Sequence, residues 1–152
     1  MVRVLQGKIG KNVDAMCSAA VSMKVGMGVQ RKNGEAVFPT EDSCENIYFV
    51  KKGVSTTTID EVAGELSDYA SEKQNIAIGE KVLLEYPETG ESYFIDQIDG
   101  SLANEDYLVV TNAGLFKKAT TGTSRFKVVD ATYKDCGHAG AKIEVVEPHS
   151  IV

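Results

Sequence analysis

Short runs of β-branched and aromatic residues, separated by glycine-containing turns, recur along the chain from residue 24 to residue 146. Such runs are typical of strands, because branched and aromatic side chains pack well on a pleated surface. The clearest turn is Asn33-Gly34, since both central residues of a type I′ hairpin turn need a positive φ angle. Turn signals at intervals of roughly 8–12 residues predict a mainly β protein, a small β-barrel or sandwich built from hairpins.

The hairpin at Asn33-Gly34 has a counterpart about 80 residues further along the chain. Residues 29–50 and 109–129 both show a strand, a glycine turn, a second strand, a polar loop and an apolar strand. This parallel indicates two related β units. The alternative interpretation is that any two hairpins share such a pattern.

The domain organisation that we predict is an extended N-terminal arm over residues 1–22, followed by a β-rich domain over residues 23–152. The arm is rich in glycine and in small residues and has no strong period of its own. Within the domain, residues 23–54 and 76–152 would form two subunits around an insertion at residues 55–75.

The insertion contains the one helix that the sequence predicts, near residues 58–70. Thr58 and Glu61 have the spacing of a capping box. Gly64 weakens the prediction, because glycine in a helix interior costs about 1 kcal/mol relative to alanine. An irregular excursion over the same residues is the alternative.

The chain is mildly acidic, with 16 Lys and Arg residues, 22 Asp and Glu residues and a formal net charge of −6. Lys51-Lys52 and Lys117-Lys118 are isolated basic pairs. A nucleic-acid groove needs clustered cations, so no nucleic-acid partner is predicted. No run of about 18 apolar residues occurs, and no membrane-spanning helix is predicted.

The cysteines and histidines do not form a recognisable site. Cys17, Cys44 and Cys136 are too scattered for a disulfide framework, so we expect reduced thiols that pack as small apolar residues. Cys136 and His138 could supply two zinc ligands, but a structural zinc site needs four. His149 is expected in a solvated terminal tail, and no metal or cofactor is predicted.

The carboxylates give no catalytic signature either. Asp96 and Asp99 are close in sequence, but their glycine-flanked segment is typical of a solvated turn. Gly26-Met27-Gly28 lies in a strand pattern and lacks the third glycine and following helix of a phosphate loop. We therefore predict no catalytic residues and a protein that is not an enzyme.

The C-terminal half contains a succession of short phrases in strand and turn segments. They are GEKVLLEY at 79–86, GESYFIDQ at 90–97, DYLVV at 106–110, GLFKKA at 114–119 and KVV at 127–129. In order and character these phrases resemble the head decoration (capsid cement) proteins of tailed bacteriophages, and residues 28–50 fit the same phrase loosely.

The resemblance implies a structural protein of the virion that binds the outer surface of a capsid and stabilises the shell. The implied partners are the major capsid protein and further copies of the chain, with a trimer favoured. The implied location is the capsid exterior, and the host cytoplasm during assembly. An N-terminal arm that adds a strand to a neighbour would anchor such a protein. We expect Val2, Val4 and Leu5 to make that contact.

Two alternatives from other classes stay open. One is a different phage structural or adaptor module, in the tail, the baseplate or a vertex. The other is a small β-barrel enzyme such as a trimeric nucleotide hydrolase, which should show a catalytic aspartate and a glycine-rich C-terminal arm. The C-terminal residues 147–152, EPHSIV, do not form such an arm.

Overall fold

The computed structural model describes residues 1–7, 13–52 and 71–152, which are almost entirely strands and turns. The prediction of a mainly β protein with a barrel is confirmed. The helix predicted near residues 58–70 lies outside the described residues. The elements are β1 (Val2–Gln6), β2 (Val13–Ala19), β3 (Met23–Lys24), β4 (Gly28–Lys32), β5 (Glu35–Val37), β6 (Tyr48–Lys52), α1 (Ser71–Gln74), β7 (Asn75–Ile76), β8 (Lys81–Glu85), β9 (Ser92–Ile95), β10 (Tyr107–Val110), β11 (Phe116–Lys118), β12 (Gly122–Asp130), β13 (Lys134–Asp135), β14 (His138–Ala139) and β15 (Ala141–Ile151).

The first half of the chain forms a closed five-stranded barrel in the order β2-β5-β4-β6-β8. The β4–β5 hairpin turns at Asn33 and Gly34, whose φ angles are 53° and 80°, so the type I′ prediction is confirmed. Strands β2 and β5 run parallel, and the other neighbours are antiparallel. Val29, Val50 and Leu84 are fully buried in the core of this barrel.

The second half forms a six-stranded sheet in the order β1-β9-β15-β12-β10-β11. All its strand pairs are antiparallel. A parallel bridge between Ile98 and Phe116 brings β11 back beside the segment after β9. The sheet therefore curls around its own core, in which Phe116, Phe126 and Ile143 are fully buried.

The two halves have the same strand connectivity. Each unit has five corresponding strands, which in chain order are β2, β4, β5, β6 and β8 in the first unit and β9, β10, β11, β12 and β15 in the second. Corresponding strands have corresponding neighbours, and in each unit the chain at the first strand makes a parallel contact with the third strand. Backbone hydrogen bonds repeat as well, since Gly26 donates to Val50 as Glu105 donates to Val128. The interpretation of two related β units therefore has structural support beyond the hairpin pattern.

The two units share a seam that is dominated by Phe49. Its side chain points out of the barrel because β-strand side chains alternate and its neighbour Val50 points inward. The Phe49 ring lies 4.6 Å from the Tyr93 ring and 5.5 Å from the Phe116 ring, measured between centroids. Ser43 and Val110 exchange two backbone hydrogen bonds across the same seam. One continuous apolar cluster thus joins both units.

The described residues of the segment predicted as an arm, 1–7 and 13–22, are part of the two units instead. Strand β1 pairs with β9 of its own chain, and β2 closes the barrel between β5 and β8. The apolar face of each strand explains the difference, because Val2 and Cys17 are buried in the two cores. Residues 23–54 are accordingly not a unit by themselves.

The three cysteines are free thiols, as expected. Cys17 and Cys44 are buried like small apolar residues, and the Cys44 thiol donates to the carbonyl of Thr123 at 2.6 Å. Burial raises the pKa of the Cys44 thiol. Cys136 differs from the expectation, since it is exposed at the turn between β13 and β14.

One close approach across the seam requires glycine at position 28. A Cβ atom there would lie 2.6 Å from Val110 Cγ2, inside van der Waals contact. We expect Gly28→Ala to lower the free energy of unfolding by about 1–3 kcal/mol through overpacking. Urea denaturation followed by circular dichroism measures the loss.

A double-mutant cycle separates this clash from the intrinsic cost of alanine. In a Val110→Ala background the obstructing methyl groups are gone, so Gly28→Ala should cost clearly less. An equal cost in both backgrounds would show that the seam does not depend on this approach.

Candidate interaction surface

An open groove of about 350 Å³ lies beside β1 at the seam between the units. Four apolar residues line it, namely Met1, Val2, Val4 and Val25. Residues 1–4 are consecutive, and successive side chains of a strand point to opposite faces. A groove that touches all of them must therefore run along the edge of β1 rather than over one face of the sheet.

The outer edge of β1 carries no further strand in the described part of the chain. Strand β9 pairs with one side of β1, and β1 is the last strand of the sheet on that side. In an antiparallel ladder, alternate residues direct their N–H and C=O groups away from the neighbouring strand. An unpaired edge of this kind is a template for another extended chain.

Strand β1 is fixed in place at its beginning. The Met1 ammonium group donates to the carbonyl of Val25 at 2.7 Å and forms an ion pair with Asp96. Burial lowers the pKa of this α-amino group, and the Asp96 carboxylate opposes that shift. The Arg3 guanidinium donates from Nε to Asp135 at 2.8 Å, which ties β1 to the β13–β14 hairpin. These contacts therefore fix the position of β1 and of its unpaired edge.

Four cations line the groove, and three of them form ion pairs with carboxylates of the same chain. Arg3, Lys51, Lys52 and Lys73 line it together with Gln74, and no Asp or Glu is among its nine lining residues. Each described ion pair of these cations leaves part of the side chain in solvent: the Lys51 side chain is 31% exposed and the Lys52 side chain 23% exposed. The carboxylates of Asp135, Glu85 and Glu80 therefore offset much of the positive charge of the lining.

A polar network lies in the seam beneath the groove. Lys51 forms an ion pair with Glu85, which is 3% exposed. The Tyr93 hydroxyl lies 2.7 Å from Glu91 Oε2 and 3.3 Å from Glu85 Oε1. Because a phenol has one proton, the shorter contact with Glu91 is its hydrogen bond as donor. Glu91 is fully buried and also accepts the Glu88 N–H at 2.8 Å.

This network contains four titratable side chains, and its geometry is that of a structural brace. Glu85 is paired with Lys51 of the barrel and Glu91 with groups at the start of the second unit, and the 3.3 Å contact between the Tyr93 hydroxyl and Glu85 brings the two pairs together. Buried charges of this kind are retained only when they are paired and hydrogen-bonded. Sequence reasoning missed Glu85, Glu91 and Tyr93. The available signal was that acidic residues directly adjoin two apolar strand runs, LLE and ESYF.

The structure separates the three residues predicted to contact a partner. Val2 is 5% exposed and belongs to the core. Val4 is 37% exposed and lines the groove, and Leu5 is half-buried where the β1–β9 register shifts. Val4 is therefore the one of the three that an outside chain reaches directly, and the contact itself stays a prediction.

The other residues singled out in the sequence are not brought together. Asp96 contacts the Met1 ammonium group, whereas Asp99 is exposed. His149 lies in strand β15 rather than in a tail and stacks on Tyr107 with 4.4 Å between the ring centroids, but it is exposed to solvent as expected. Among the described residues, no group of three or more His, Cys, Asp or Glu side chains is arranged to hold a metal ion.

Comparisons with known proteins add no relative: no protein family, curated protein or solved structure matches the chain. Within residues 1–7, 13–52 and 71–152, no helix has the length and apolar character needed to cross a membrane.

The hydrogen bond of the Tyr93 hydroxyl is open to a direct test. We expect Tyr93→Phe to lower the free energy of unfolding by about 1–3 kcal/mol, because a buried carboxylate loses a donor. Tyr133→Phe is the matched control, and it should change stability by less than about 0.5 kcal/mol. Equal effects of the two substitutions in urea denaturation would contradict the role of the network as a brace.

Proposed function

We propose that the protein is a structural component of a phage particle that binds the outer surface of the capsid and stabilises the shell. Its partners are the major capsid protein and further copies of itself, as a trimer. The observation that carries the proposal is the held edge strand β1, with an open groove beside it. An edge strand of this kind can join another chain by main-chain hydrogen bonds.

The construction of the seam supports the same role. A shell-binding protein must transmit load between its contacts, and here two β units share one apolar cluster centred on Phe49. Interiors packed in this way are dense and deform little. If each copy of an oligomer carries one contact strand, the oligomer binds the shell more tightly than a single copy does. Each further contact is then intramolecular once the first has formed.

The choice of a phage capsid as the assembly rests on the resemblance to head decoration proteins in short strand-and-turn phrases. The phrases occupy β8, β9, β10, β11 and part of β12, which form much of the seam and the curled sheet. The polar groups of the seam network are bonded to one another, as in a protein that needs shape and adhesion rather than a tuned acid or base.

Quantitative mass spectrometry of purified virus-sized particles tests the proposal. The expected result is a fixed copy number close to that of the major shell protein. A handful of copies per particle would replace the proposal with a tail, baseplate or vertex role. Absence from particles would overturn both and reopen a soluble binding or enzymatic role.

The contribution of the β1 edge to particle binding is tested with a pair of substitutions at equally exposed valines. Val4 lines the groove and is 37% exposed, while Val21 lies outside the groove and is 38% exposed. We expect Val4→Glu to reduce co-sedimentation with undecorated particles about tenfold, since the new carboxylate occupies the groove. Val21→Glu should bind like the unchanged protein, with thermal unfolding monitored for both.

If the two variants bind particles equally well while both remain folded, the β1 edge is not the contact. Such a result would not contradict the association of the protein with particles, because mass spectrometry of purified particles tests that association separately.

A further inference from the structure

We infer that Asn33 is a site of spontaneous deamidation, and that the isoaspartate formed there loosens the closure of the five-stranded barrel. Asn33 and Gly34 form the exposed tip of the β4–β5 hairpin, and both have a left-handed backbone. The same tip adjoins the β2–β5 pair that closes the barrel. The modification needs no partner protein, so it does not depend on the proposed function.

The reaction joins two neighbouring groups of one chain and needs only water besides. The backbone nitrogen of Gly34 attacks the side-chain carbonyl carbon of Asn33, and the C–N bond of the side-chain amide breaks. Ammonia leaves and carries away the proton of the attacking nitrogen. Water then opens the resulting succinimide ring at one of its two carbonyl groups. One product is aspartate, and the other is isoaspartate, in which the main chain runs through the former side chain.

The surroundings of the turn leave the reacting groups open. Asn33 and Gly34 are exposed, as are the flanking residues Lys32 and Glu35. Gly34 has no side chain beside the attacking nitrogen, and a Cβ atom built there would meet no atom of a more distant residue within 4 Å. Neither burial nor a neighbouring side chain therefore obstructs the attack or the entry of water.

The turn slows the reaction without preventing it. The φ angles of Asn33 and Gly34 are 53° and 80°, and the attacking nitrogen reaches the side chain only when the peptide rotates out of this type I′ geometry. One hydrogen bond, from the Ser18 N–H to the Gly34 carbonyl at 3.2 Å, joins the tip to β2. Local opening of an exposed tip costs far less free energy than global unfolding. The folded protein therefore deamidates at the rate that this opening permits.

The reacting peptide lies where the barrel closes. Strands β2 and β5 are joined by two parallel pairs, Ser18 with Glu35 and Ala19 with Ala36. The hydrogen bond between Ser18 and Gly34 directly precedes these pairs. Ala19 and Ala36 are buried in the core of the barrel. A shift of the turn therefore acts on the closure of the barrel and on the core behind it.

The two products differ in their effect on this closure. Isoaspartate adds a methylene group to the main chain, and a two-residue type I′ loop cannot take up added length without shifting the strands that it joins. Aspartate keeps the normal main chain, and Asp-Gly is itself a preferred pair in type I′ turns. Both products carry the same new negative charge. The longer main chain of isoaspartate is therefore the change that loosens the β2–β5 pair.

Peptide mapping by mass spectrometry, after incubation of the full folded chain at mildly alkaline pH, tests the modification. Asn46 is an internal control, because it is also exposed and has a φ angle of 52°, but Ile47 follows it. We expect deamidation at Asn33 to be at least about ten times faster than at Asn46, since a β-branched side chain restricts the backbone that glycine leaves free. Equal rates at the two asparagines, or no deamidation at Asn33, would overturn the inference.

Thiol labelling with a maleimide reagent tests the effect on the barrel. Cys17 is fully buried in the core of the barrel, whereas Cys44 is buried in the cluster that joins the two units. In protein that carries isoaspartate at position 33, we expect Cys17 to react at least about ten times faster than in fresh protein, through easier local opening of the barrel. Cys44 should react at its original rate. An unchanged rate at Cys17, or equal acceleration at both thiols, would overturn the effect on barrel closure.

Two variants separate the longer main chain from the new charge. Asn33→Asp carries the charge on a normal main chain, so Cys17 should react as in fresh protein. Asn33→Gly removes the reactive amide and keeps a pair that type I′ turns accept, so incubation should not accelerate the labelling of Cys17. If Asn33→Asp accelerates labelling as much as isoaspartate does, the role of the longer main chain is refuted. If incubated Asn33→Gly shows the acceleration, the change arises at another residue and the inference fails.

Discussion

The rest of the structure depends on the packing of Phe49 across the seam between two β units. Its ring lies against Tyr93 and Phe116, and within 6.2 Å of Phe126, so one residue of the first barrel reaches the core of the second unit. Aromatic groups of this size bury about 150–250 Å² each and dominate the energetics of a core. Because Val50 on the same strand faces the barrel interior, β6 contributes to both cores at once. Neither unit can shift without exposing this cluster.

The seam explains why polar groups and an open groove occur side by side. Phe49 is paired with Glu85 in the β6–β8 ladder, and both side chains face the second unit. The Glu85 carboxylate is accommodated by its ion pair with Lys51, as burial of a charge requires. Lys51 also lines the groove beside β1, so the ion pair that neutralises Glu85 forms part of the wall of the candidate interaction surface.

A single pattern of strand pairing underlies both units, and their differences produce the site. The barrel closes through the parallel β2–β5 pair, whereas the second unit has one parallel bridge and gains β1 as an extra edge strand. Strand β1 is the edge of the sheet because the parallel bridge of the second unit involves β11 and not β1. Natural proteins usually protect such edges. Here Met1 and Arg3 hold the strand, and the backbone of Gly26 lies against its first peptide group.

The sequence by itself determined the β class, the type I′ turn at Asn33-Gly34 and the repeated hairpin, because these depend on local backbone preferences and a period of two. Only the tertiary structure decided that β1 pairs with β9, that His149 lies in a strand, and that Lys51, Glu85 and Tyr93 meet. Those outcomes depend on contacts between residues far apart in the chain. The alternation of apolar residues predicts that Val2 and Val4 form a strand, but not which strand supplies the partner, since every exposed edge offers the same backbone groups.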